Sequence, residues 1–247
     1  MSKTHFVLAA AAAMAMGGMA SSAMAVSIGV NFIGDNNGGG ASVTGTAGFV
    51  PQGNWNNVAG PGANNGSSAT IVSDSNVTTG ASLAWTSPNL WASGVGSNQD
   101  GILMQGYLDN SPGQDSIATL TGLPGNIAGP GSTPYSVIVY LAGDTAGDNR
   151  GGTYTVNGVV QTALGIGPSQ NGVYVPATAV TPGNYLLFTG ITGSTLTIDV
   201  HPTTGGTPRA PFDGFQVLDS ASVPEPASLG LLGIGSVTLL ARRRRNA

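Results

Sequence analysis

From Val26 to Ser222 the chain alternates short apolar runs with clusters of Gly, Pro, Asn and Asp, and no stretch keeps a 3.6-residue apolar period over three turns. Short runs rich in β-branched and aromatic residues, bounded by turn formers, predict strands rather than helices. The runs are "VSIGVNFIG", "ATIVSD", "ASLAWTS", "GILMQGYLD", "DSIATLTGLP", "YSVIVYLAG", "TYTVNGVVQTAL", "GVYVPATAV", "NYLLFTGI", "STLTIDVHP" and "PFDGFQVLD". Within the seventh, Asn157-Gly158 predicts a two-residue hairpin turn, because both positions tolerate positive φ. About ten strands with turn signals roughly every 8–12 residues predict an all-β domain over 26–222, a two-sheet antiparallel β-sandwich. No tandem repeat is present, which argues against a β-helix or a propeller.

The two ends break this pattern. A short basic start, "MSKTH", precedes the apolar run "FVLAAAAAMAMGGMA" and the small-residue ending "SSAMA". That order predicts a secretory signal peptide over 1–25, cleaved after the Ala23-Met24-Ala25 box so that the mature chain begins at Val26. At the other end, 223–247, Val223-Pro224-Glu225-Pro226 precedes an apolar run, 227–241, and then Arg242, Arg243, Arg244 and Arg245. As a helix the apolar run reaches only ~22 Å against a hydrocarbon core of ~30 Å. Gly230, Gly233 and Gly235 weaken that helix further. The arginines hold their end on the cytoplasmic side and leave the body outside the inner membrane. Such a short, pinned span suits a transient hold better than a permanent anchor, which is the alternative reading.

The three-part tail resembles the PEP-CTERM sorting signal of bacterial exported proteins, and Val223-Pro224-Glu225-Pro226 matches its motif. The resemblance implies recognition by an exosortase-type membrane protease that cuts near Pro-Glu-Pro and passes the product to the cell surface or extracellular matrix. The body, with "VNFIG", "GFVPQGNWNN", "YLDNSPGQDSIATLTGLP" and "FDGFQVL" in that order, resembles the galactose-binding-like jelly rolls that often carry this tail.

Composition narrows the chemistry. Once both ends are set aside, the body holds two basic residues, Arg150 and Arg209, against ten aspartates, a net charge of −8 with no lysine, glutamate or cysteine. Such a surface repels phosphate backbones, so no nucleic-acid partner is expected. Disulfides and thiolate metal sites are impossible. His201 is the only imidazole of the body, which excludes a histidine-built zinc site. No Gly-x-Ser-x-Gly elbow and no phosphate loop with lysine exist. His201 itself reads as an exposed residue at a strand end.

Three candidate sites remain. Trp55, flanked by Asn54 and Asn56 in "QGNWNN", has the makings of a sugar-stacking platform, although such a tryptophan is more often a loop anchor. Asp144, Asp148 and Asn149 could supply oxygen ligands to calcium, the one cofactor the sequence leaves open, although a plain loop is the simpler reading. Paired aspartates could serve a glycosidase, yet most sit in turns where Asp caps its own backbone. The expectation is therefore a non-enzymatic, exported surface or matrix protein associated with exopolysaccharide, with a carbohydrate-binding module as the alternative and an Asp-dependent glycosidase third.

Overall fold

The computed structural model describes residues 26–35, 40–94, 96–125, 127, 134–144, 150–167, 172–202 and 209–219. The signal peptide and the sorting tail, with Ala23, Ala25, Val223 to Pro226 and the four arginines, lie outside the described residues. The described chain is mostly β: β1 (Ser27–Phe32), β2 (Asn56–Val58), β3 (Asn65–Ser68), β4 (Ser82–Thr86), β5 (Asn89–Ala92), α1 (Gln99–Leu103), β6 (Gly106–Asp109), β7 (Ser116–Thr121), β8 (Tyr135–Tyr140), β9 (Gly151–Val156), β10 (Val159–Leu164), β11 (Tyr185–Ile191), β12 (Thr195–Pro202), β13 (Pro211–Phe212) and β14 (Gly214–Leu218).

The sequence predicts two sheets, and the strands hydrogen-bond into three. A five-stranded sheet runs β11-β8-β14-β1-β2, a six-stranded sheet β10-β9-β12-β7-β4-β3, and a three-stranded sheet β13-β6-β5. Every pairing is antiparallel except β1 with β2.

The sheets differ in how many faces they bury. In the six-stranded sheet burial alternates along β12, so Leu196, Ile198 and Val200 point inward while Thr195, Thr197, Asp199 and His201 point outward. Across the register Thr195 faces Thr121 and Thr197 faces Thr119, so on this lysine-free body hydroxyls share the outer face with Asp199 and His201. The central strands of the five-stranded sheet, β8, β14 and β1, are buried on both faces. On β8, Tyr135, Val137 and Val139 enter one core with residues of all three sheets, while Ile138 and Tyr140 enter a second. Successive side chains of a strand point to opposite faces, so "YSVIVY" reads as a continuous apolar run because each face has its own core. The second core is covered by Val43, Ala47 and Trp55 from the 43–55 segment and by Leu103 and Met104 at the end of α1.

Four segments depart from the predicted strands. "ATIVSD" and "GVYVPATAV" form no strand and contribute only isolated bridges, Val72 with Thr78 and Pro176 with Tyr185, because no neighbouring strand runs alongside them for more than one pair. "GILMQGYLD" divides into the end of α1 and β6. The helix starts there because the Asn98 side chain accepts a hydrogen bond from the Gly101 N–H at 2.8 Å, and Asp100 places negative charge in the first turn. "PFDGFQVLD" divides at Asp213: β13 joins the three-stranded sheet and β14 the five-stranded one. Gly214 permits the crossing, since a Cβ there would lie 2.2 Å from the Val30 carbonyl oxygen. The hairpin β9–β10 forms as predicted, with Asn157 at φ 46° and Gly158 at φ 84°.

Asp213 is fully buried at this crossing, and its carboxyl accepts a hydrogen bond from the Ala142 N–H. Its Oδ1 has no hydrogen-bond partner among the described residues. Burial pushes its pKa well above the usual carboxylate range, and the Ala142 N–H offsets part of that rise. The native state therefore holds a proton that the unfolded chain releases from about pH 4 upward. The stabilisation tied to that proton is complete below the unfolded pKa and is lost as pH rises through the folded one. Asp213→Asn keeps an acceptor for Ala142 and cannot ionise. Its melting temperature is expected to fall less than that of the wild type between pH 4 and pH 7 in thermal scans, and parallel curves would refute this.

Candidate ligand pocket

A concavity lined by polar and charged side chains grows out of the three-stranded sheet. β5 pairs with β6 so that Asn89 faces Asp109 and Trp91 faces Tyr107. Those four side chains share one face of the sheet, because residues two apart on a strand point the same way. The other face is apolar, with Leu90 and Leu108 in the first core. Tyr107 and Asp109 are buried, each about 1% exposed, and Tyr107 forms the floor; Trp91 is half-buried and Asn89 exposed, and they form a rim.

Three charged residues close over this face. Arg209, just before β13, donates from Nη1 to Oδ2 of the buried Asp109. Arg150, just before β9, holds Asp144, which follows β8, at 3.0 Å from Nη2 to Oδ1. Asn89, Trp91, Tyr107, Asp144, Arg150 and Arg209 together line an open pocket of about 260 Å³. Both arginines of the 26–222 body thus meet at one place, each matched by an aspartate. Burial, then the negative charge of Asp144, push the Tyr107 phenol far up, with Arg150 pulling the other way. Tyr107 is therefore a neutral hydroxyl throughout the physiological range.

Of the candidates read from the sequence, Asp144 lines this pocket, and the Trp55 loop lies elsewhere. Trp55 is only 7% exposed, packed in the second core with its ring centroid 6.2 Å from that of Tyr140. The Asn56 amide donates to the carbonyls of Gly29 and Val72 at 2.9 Å each and accepts from the Val72 N–H at 2.9 Å. Asn54 donates to the Asp74 carbonyl. These three residues anchor a loop: the two asparagine amides bond backbone groups, and the buried Trp55 Nε1 has no hydrogen-bond partner among the described residues. Asp144 is engaged by Arg150, while Asp148 and Asn149 lie outside the described residues. Among the described residues no three His, Cys, Asp or Glu side chains are grouped to hold a metal ion. His201 is exposed near the end of β12, as expected, and its Nδ1 lies 2.5 Å from Oδ1 of Asp115.

Residues 222–245 match the PEP-CTERM protein-sorting motif, one residue ahead of the expected start. No curated protein and no solved structure matches the chain. The motif marks an exported, cell-surface-sorted protein processed by an exosortase. Among the described residues no helix is long and apolar enough to cross a membrane.

Proposed function

We propose that the mature protein is a non-enzymatic component of the cell surface or extracellular matrix, released from a transient inner-membrane hold and placed among exopolysaccharide. The single observation that carries this reading is the sorting motif at 222–245 behind a β-rich body. The body supports it in kind: the two large sheets contribute to one core, in keeping with a sandwich of jelly-roll type, and the outer face is wetted by hydroxyls. Of the other readings, carbohydrate binding proper is favoured by the pocket of Trp91, Asn89 and two Arg–Asp pairs. Hydrolysis is not favoured, because Asp144, the carboxylate that lines the pocket, and the buried Asp109 are each tied to a guanidinium group.

Intact-mass analysis of the protein recovered from its native envelope tests the sorting step. The mass is expected to correspond to a chain that starts at Val26 and has lost the residues beyond Pro-Glu-Pro. Replacing Glu225 with Ala is expected to leave a longer, membrane-retained precursor. A wild-type mass that still includes Arg245 would overturn the matrix assignment.

A further inference from the structure

The pocket on the three-stranded sheet has the chemistry of a site for a particular kind of ligand. Its charges are balanced: Arg150 against Asp144 and Arg209 against Asp109. An anionic ligand would meet the Asp144 carboxylate there, on a body that carries −8 overall and repels polyanions at a distance. A neutral hydroxyl meets no such barrier. Beside an Arg–Asp pair it can donate to the carboxylate and accept from the guanidinium, forming charge-assisted bonds with both. Asn89 adds an exposed donor and acceptor at the rim, Tyr107 a neutral phenol at the floor, and Trp91 a partly open indole on which the apolar face of a ring can rest. The volume of about 260 Å³ lies just below the ~300–1,000 Å³ of drug-sized sites, which suits one ring rather than a chain segment.

We propose that this pocket binds a single neutral sugar ring, held by the Arg150–Asp144 pair and Asn89 with its apolar face on Trp91, and that it is the contact through which the protein engages neutral polysaccharide. The inference rests on the polysaccharide-associated reading above and locates it.

The test uses the processed protein, purified as the cell releases it. Its binding to glucose, galactose and mannose, and to galacturonate as the anionic counterpart, is followed by saturation-transfer NMR. Binding to dextran, galactan and mannan is followed by pull-down. Saturable binding of at least one neutral sugar is expected, with galacturonate weaker. Trp91→Ala and Arg150→Ala are each expected to weaken it about tenfold or more, the loss of one strong contact. Asn89→Ala, at an exposed position where truncation costs little stability, is expected to weaken it measurably, whereas Thr197→Ser on the outer face of the six-stranded sheet leaves it unchanged. Tighter binding of galacturonate, or full neutral-sugar binding in Asn89→Ala and Arg150→Ala, would overturn the site. If polysaccharide is retained by the Trp91→Ala, Arg150→Ala double variant, the pocket assignment fails while the matrix reading stands; if the wild type retains none, both fail.

Discussion

Phe215→Ala is expected to cost about 3–5 kcal/mol of stability, the range for truncating a buried aromatic, read as a lowered urea midpoint at an unchanged slope. Phe215 is fully buried on β14, between Val30 of β1 and Val139 of β8. Its ring lies 6.4 Å from that of Phe32 and 6.2 Å from that of Phe212, while Phe32 and Phe212 meet edge-on at 4.9 Å. Phe212 belongs to β13 and so to the pocket sheet, whereas Phe32 and Phe215 belong to the five-stranded sheet. The three rings therefore join two sheets that share no ladder, and removing one leaves a cavity that extended backbone on either side cannot collapse to fill. Phe215→Leu, which keeps much of the volume, is expected to cost less than half as much. A loss below about 1.5 kcal/mol for alanine, the level of a deleted methyl, would mean that the rings do not carry this junction.

The legible part of the fold is the part whose pattern is local. The β9–β10 hairpin follows from Asn157-Gly158 and its flanking β-branched residues, and β8 from an apolar run too dense for a half-exposed strand. What escaped the sequence was set by distant partners. β2 is "NNV" and β3 is "NGSS", polar segments that become strands by pairing with β1 and β4 rather than by any propensity of their own. α1 hid inside an apolar run because its start depends on one Asn98 side chain. The third sheet was hidden because "PFDGFQVLD" looks like one strand until Asp213 finds its place under Ala142.

The candidate site divides the same way. Trp55 between two asparagines has the composition of a sugar platform, but asparagine amides serve backbone groups as readily as hydroxyls, and here they do. The pocket is assembled from positions as far apart as 89 and 209 by strand register, which a single sequence does not display. One signal was present: a body with only two arginines brings both to the same hollow, and scarcity of a residue type is itself a reason to ask where its few members meet.

Arg209→Met supplies the second large effect and separates the pocket's structural charge from its binding charge. Asp109 is 1% exposed, its Oδ2 accepts from Arg209, and its Oδ1 has no hydrogen-bond partner among the described residues. Removing the guanidinium leaves a buried carboxylate without its counter-charge, which costs about 3 kcal/mol, the low end of the range for a broken buried pair. The low end applies because the Arg209 side chain is 33% exposed, so water can enter where it stood. Asp109→Asn in the same chain removes the stranded charge, and the double variant is expected to recover most of the loss, a coupling that a double-mutant cycle in urea reads directly. Equal and additive losses from the two single changes would show that the pair is a surface contact with little net worth. Recovery in the double variant would instead leave a folded protein whose pocket keeps Arg150 and Asp144 but lacks the second pair. Any change in its sugar affinity then belongs to recognition and not to folding.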